Sequence, residues 1–238
     1  MKKILFLLFF APILLNAQSE KALELYGEGV KKFYKEEYKL ALEFFNQSLA
    51  IDANFQIAAM NRGQTHMKLG QLDDAIIDFN TVLGLDSNYV DAYKELAICY
   101  IKTHQYSKAI ADLYLLIAFN PNIKAPYKQL GLCYYYTRKY KLAEEAYGIY
   151  LDGNESDIEA WFQKGLCSYY YADYETAITD FSAVLDLDNM YSTAIEWRGK
   201  SYQKGNYIEK ACLDWVLSKE QGLKSSQDYL DKYCIKRN

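Results

Sequence analysis

Two histidines, His66 and His104, five cysteines and two adjacent acidic pairs, Asp73-Asp74 and Glu144-Glu145, are the residues with which this chain could hold a metal, move protons or change oxidation state. Zinc binding asks for clustered ligands at short, characteristic spacings. Neither histidine has a Cys-x-x-Cys or a His-x-x-x-His partner nearby, so a metal site is not expected. His66 reads as a core-edge side chain in the column that holds Tyr100, Tyr134 and Tyr202, and His104 as a turn residue. The acidic pairs stand near the starts of helical segments, where carboxylates favour the positive end of the helix dipole. No Gly-x-Ser-x-Gly elbow, phosphate loop or dinucleotide fingerprint is present. No catalytic residue and no cofactor is predicted. Cys99, Cys133 and Cys167 are 34 residues apart, which places them at one position in successive helices about 8–10 Å apart. A disulfide spans at most roughly 7 Å between Cα atoms, so these three are expected to be small buried packing residues.

That spacing governs the whole chain. Alanine recurs at 41, 75, 109, 143, 177 and 211 with no insertion. Twelve residues earlier stands a small residue, Gly29, Gly63, Ala97, Gly131, Gly165 or Gly199, and four residues later a large one, Phe45, Phe79, Leu113, Tyr147, Phe181 or Trp215. Each unit reads as two helices. In the fifth, apolar residues at helical spacing run from Ile158 to Tyr171, break at Ala172-Asp173 and resume from Tyr174 to Leu187. Asp52-Ala53-Asn54, Asp86-Ser87-Asn88, Asn120-Pro121-Asn122 and Asp188-Asn189 supply turn chemistry after second helices. A hairpin this short cannot bury both apolar stripes alone, so the units must stack.

These columns, with segments such as Trp161-Phe162-Gln163-Lys164-Gly165-Leu166 followed by Tyr174-Glu175-Thr176-Ala177-Ile178 and Phe181, resemble the tetratricopeptide repeat family. The resemblance implies an all-α, right-handed solenoid of six 34-residue helix-turn-helix repeats at 22–55, 56–89, 90–123, 124–157, 158–191 and 192–225, closed by a capping helix at 226–238. Two departures stand out: Lys32 replaces the mid-helix aromatic of repeat one, and Leu151-Asp152-Gly153-Asn154-Glu155-Ser156 should end the second helix of repeat four early. Ser225 and Asp228 form a candidate capping box for the last helix. In an oxidising compartment Cys212 and Cys234 are free to link. Their Cys-Leu-Asp-Trp and Lys-Tyr-Cys settings resemble C-terminal segments of exported repeat proteins, and that resemblance implies a bridge; equal thiol counts with and without reductant would count against it.

The family resemblance also implies that first helices line a concave face on which partners lie. Helical spacing assigns Tyr26, Phe33, Met60, Gln64, Met67, Lys94, Ile101, Lys128, Tyr135, Phe162 and Tyr169 to that face, while Val30, Ile98, Leu132 and Leu166 read mainly as packing between neighbours. A subset of the family grips a terminal carboxylate with Lys and Asn on successive first helices. Here Lys94 and Lys128 are followed one turn later by Ile98 and Leu132, so that clamp is not assembled. The expected partner is a protein or an internal, partly apolar peptide, bound by a non-enzymatic scaffold or adaptor. The competing reading is an envelope assembly subunit that uses its edges and convex face.

Composition sets the remaining limits. With 51% hydrophobic and 24% charged residues the 238-residue chain is not disordered, and few prolines leave long helix-compatible stretches. Met1-Lys2-Lys3, an apolar run to Leu15 and then Asn16-Ala17-Gln18 resemble a bacterial, Bacteroidetes-type export signal over residues 1–17, too short to span a bilayer. No cysteine follows the run, so the expected location is periplasmic or secreted, without stable membrane insertion after cleavage. Net charge is −4, becoming 25 − 31 = −6 once Lys2 and Lys3 leave, which disfavours nucleic acid.

Overall fold

The structure is a computed structural model that describes residues 3–234, with side chains from Ser19 onward. The expected leader, residues 1–17, and the last residues of the expected cap, 235–238, therefore lie outside the residues whose side chains are described. Among the described residues no helix is long and apolar enough to cross a membrane.

All regular structure among the described residues is helical. The chain divides after Phe119 into two compact units. Unit one holds α1 (Lys3–Tyr34), α2 (Tyr38–Ile51), α3 (Gln56–Lys68), α4 (Leu72–Leu85), α5 (Val90–Lys102) and α6 (Tyr106–Phe119). Unit two holds α7 (Ala125–Tyr136), α8 (Tyr140–Leu151), α9 (Ile158–Tyr170), α10 (Tyr174–Leu187), α11 (Ser192–Lys204), α12 (Ile208–Glu220) and α13 (Ser226–Tyr229), then a π-helical turn over Leu230–Cys234. Within each unit a second helix packs on its own first helix and on the first helix of the next repeat.

The small-residue column explains how the two helices of a hairpin come so close. A Cβ added to Gly29, Gly63, Gly131, Gly165 or Gly199 would stand 2.7–2.8 Å from an atom of Phe45, Phe79, Tyr147, Phe181 or Trp215, the ring sixteen residues later. Those rings are sealed off from solvent. In repeat three the partner is Leu113 instead of a ring, and there the small residue is Ala97. One residue earlier the same sixteen-residue step carries ion pairs in three repeats. Arg62 donates to Asp78 at 2.6 Å, Lys164 to Asp180 at 2.7 Å and Arg198 to Asp214 at 2.8 Å, with each carboxylate buried. Repeat three breaks this pattern as well: Leu96 occupies the basic position, and Asp112 Oδ2 is buried without a hydrogen-bond partner. Burial pushes the Asp112 carboxyl up to about 6.

First helices end in left-handed turns that nothing in the residue types announces. Glu36, Gly70, His104, Arg138, Ala172 and Asn206, again 34 apart, all have positive φ, and only one is glycine. Each turn is closed by the amide of the following residue donating back across the helix end, as from Gln105 to Tyr100 at 2.7 Å and from Lys139 to Tyr134 at 2.8 Å. At the other end of the hairpin the expected turn chemistry is present. Asp52, Asp86, Asn120 and Asp188 each accept from the amide two residues on.

Two expectations about unit two meet different fates. α8 does stop early, at Leu151, with Gly153 at φ +101 in the turn, and Asp157 then caps α9 by accepting from the Ala160 amide at 3.0 Å. The capping box at Ser225 does not form. The Ser225 hydroxyl is drawn instead to the Glu196 carboxylate, which also accepts from Ser226 at 3.1 Å. Burial alone would raise the Glu196 carboxyl, but hydrogen bonds from Lys200, Ser225 and Ser226 outweigh it and hold the group below its usual range. The terminal segment lies over repeat six: Tyr229 stacks on Trp215 at 5.1 Å, Leu230 is buried beside it, and Cys234 is joined to Cys212 by a disulfide.

Candidate functional site

The residues assigned to the partner-facing side divide by unit. In unit one, Tyr26 is held by Phe55, with centroids 5.2 Å apart, and its hydroxyl accepts from Asn61 at 2.9 Å. Phe33 packs edge-on against Tyr38 at 5.5 Å. Met60 is buried, Gln64, Met67 and Ile101 are half-buried, and Lys94 is exposed. Met60 therefore belongs to the packing of the repeat and presents nothing to a partner.

In unit two, Phe162 goes the same way. It is 8% exposed, lies between Phe181 at 5.6 Å and Tyr191 at 5.4 Å, and joins Leu166 in one buried cluster. Lys128 is committed internally: its ammonium is 2.6 Å from Asp157 Oδ2 and 5.4 Å above the Tyr150 ring. Asp157 is thereby tied to α7, to Tyr150 and to the start of α9 at once. Burial works against its charge, but hydrogen bonds from Lys128, Ala160 and Tyr150 keep its carboxyl below the ordinary range.

What remains is a run of aromatic rings across the first helices. Tyr135 of α7 meets Tyr140 at 5.7 Å and Tyr170 of α9 at 6.0 Å, and Tyr140 stacks on Tyr170 at 5.1 Å. Tyr169 meets Tyr174 at 5.7 Å and Trp197 of α11 at 5.1 Å, and Tyr170 also reaches Trp197 at 6.0 Å. Lys200 then lies 4.0 Å above Trp197 and 5.1 Å from Tyr229, linking the run to the terminal segment. Tyr136 and Tyr170 are 56% and 43% exposed, so the patch is open to solvent at those rings. Burial, with Tyr170 and Tyr140 alongside, pushes the Tyr135 hydroxyl up to about 12, so it stays a neutral donor at any physiological pH.

Tyr135 and Tyr169 were legible as one column. Tyr136, Tyr140, Tyr170 and Trp197 were not assigned to the site, although Tyr136/Tyr170 and Tyr140/Tyr174 are columns of the same period. A search restricted to one stripe per helix passes over rings that reach the patch from the adjacent turn.

The three cysteines of the 34-residue column are buried. Burial pushes their thiols up to about 11 for Cys99 and about 12 for Cys133 and Cys167. Thiols held that high carry almost no thiolate, the form that attacks disulfides and binds metals. Among the described residues no group of three His, Cys, Asp or Glu side chains is placed to hold a metal ion.

A sequence profile of the tetratricopeptide repeat matches residues 60–122, which hold most of repeats two and three, and the same columns run through the other four. The chain has the fold of a tetratricopeptide repeat protein. Solved structures bear out the fold over most of its length. YrrB, described as a TPR protein with an unusual peptide-binding site, is 21% identical, with 79% of this chain and 97% of that one covered at a TM-score of 0.70. MamA is 25% identical, with 73% and 95% covered at 0.67. MamA from Desulfovibrio magneticus RS-1 is 22% identical, with 72% and 97% covered at 0.66. No curated protein matches this chain.

Proposed function

We propose that this tetratricopeptide repeat protein is a non-enzymatic, exported adaptor or scaffold that binds a polypeptide on the face of its first helices, with the principal contact in unit two. The observation that carries this reading is the partly open ring patch of Tyr135, Tyr136, Tyr169, Tyr170 and Trp197. Large, stiff rings give contact area at low entropic cost, and their hydroxyls fix orientation. The peptide-binding site described for YrrB is in keeping with such a use of the fold. Export rests on the leader-like residues 1–17 and on the Cys212–Cys234 disulfide, which suits an oxidising compartment.

Tyr135→Ala together with Tyr170→Ala tests the site, since both rings are partly accessible, whereas Phe162→Ala would disturb the core. Loss of envelope partners from affinity capture, with the helical circular dichroism unchanged, is the expected result. A second reading, an assembly subunit using its outer surface, draws on Leu213, Val216 and Leu217, which leave an exposed apolar strip on α12. Leu213→Ser with Leu217→Ser would abolish partner capture on that reading and leave it intact on the first.

A further inference from the structure

We infer that the ring patch of unit two takes an uncharged, proline-bearing segment in the polyproline II conformation. This rests on the polypeptide-binding reading above and specifies its ligand. Three features converge on it. The first is charge. The cation that touches the patch, Lys200 at 4.0 Å over Trp197, is paired with Glu196 at 2.6 Å, and Lys128, on the same helix as Tyr135, is paired with Asp157 at 2.6 Å. Such a surface matches a segment without charge, since an ionic one would lose hydration and find its counter-charges already engaged.

The second is hydrogen bonding. The patch offers ring faces and phenolic hydroxyls, while the main-chain carbonyls of its helices are engaged within the helices, so an ordinary extended strand laid on it would have more backbone N–H groups than the phenol oxygens could accept. Proline has no N–H, and polyproline II leaves its carbonyls turned outward to accept from tyrosine hydroxyls. The third is period. Tyr135 and Tyr169, and likewise Tyr136 and Tyr170, hold equal positions on α7 and α9, about one packed-helix spacing of 8–10 Å apart. Polyproline II repeats its face every three residues at about 3.1 Å each, a step of about 9 Å. A segment crossing the first helices thus sets one proline turn on each ring set, and aromatic grooves are the established receptors for that conformation.

The test uses the full chain and three blocked, uncharged synthetic peptides of equal length: one repeating Ala-Pro-Pro, one repeating Ala-Gly-Ser, and one Leu/Gln/Ala-rich helix former. Titration calorimetry should show saturable binding of the proline peptide alone. Tyr170→Ala should weaken it about tenfold, as expected for loss of one stacked ring. Tyr170→Phe, which keeps the ring and hence the fold, should stay within about threefold, because stacking outweighs a single hydroxyl. If the helix former binds instead and loses affinity with Tyr170→Ala, the polypeptide site stands and its proline specificity is overturned. If the proline peptide does not bind, or binds equally well to Tyr170→Ala, the inference is overturned. If in addition partner capture survives the Tyr135/Tyr170 double substitution, the site reading falls with it.

Discussion

Replacing Gly165 by alanine puts a methyl carbon 2.8 Å from Phe181 Cε1, 3.0 Å from Cδ1 and 3.1 Å from Cζ. Carbon atoms in good contact sit about 3.5–4.0 Å apart, so the ring must retreat by roughly half an ångström or more. Phe181 is fully buried and packed against Phe162. It has nowhere to swing, and overpacking of this kind costs roughly 1–3 kcal/mol. Phe181→Leu alone removes buried ring atoms and should cost roughly 1–2 kcal/mol. The two together recreate the Ala97–Leu113 pair that repeat three already uses. The double variant should therefore be more stable than the sum of the singles implies, by about 1–2 kcal/mol. Because repeat arrays need not unfold in one step, the readout is hydrogen exchange at α9 and α10 amides rather than a single melting curve. Additivity within about 0.5 kcal/mol would falsify the claim that these columns are steric partners.

Three further outcomes are expected. Ala172→Gly relieves a left-handed residue at φ 71 and should stabilise the α9–α10 hairpin by about 0.5 kcal/mol, after the greater freedom of glycine in the unfolded chain is deducted; a loss of stability in thermal melts would contradict the strain argument. Asp112 should make α6 more stable as pH falls from about 6 towards the ordinary carboxylate value near 4, because only the folded chain holds the extra proton in that window. Asp112→Asn should remove this pH dependence and add roughly 1 kcal/mol above pH 7, a figure discounted for partial exposure; identical pH profiles in exchange experiments would refute it. Cys212→Ser should loosen the terminal segment, exposing Trp215 to solvent with a red-shifted emission and costing locally about 2–4 kcal/mol, with repeats one to three unaffected.

The repeat phase, the glycine–ring contacts, the Asp- and Asn-closed turns and the short α8 could all be read from residue types because each rests on a local steric or hydrogen-bonding rule. The left-handed turns could not. Glu36, Arg138 and Ala172 adopt positive φ because packing of the hairpin over-determines the turn, and no propensity announces that. The buried Arg–Asp and Lys–Asp pairs were missed although the signal was available, since they follow the same sixteen-residue step as the glycine–ring pairs, displaced by one residue. In the candidate site, helical spacing grouped Tyr135 with Tyr169. It could not tell an outward ring from an inward one, which is why Met60 and Phe162 lie inside while Tyr170 and Trp197, unassigned, complete the patch.

The cysteine arrangement has a bearing on how the chain matures. Once the first helices have stacked, Cys99, Cys133 and Cys167 are sealed in and protonated, leaving Cys212 and Cys234 as the pair able to react. In the folded chain the buried thiols are therefore closed to exchange with the bridge, and reduction followed by reoxidation without unfolding can remake only Cys212–Cys234.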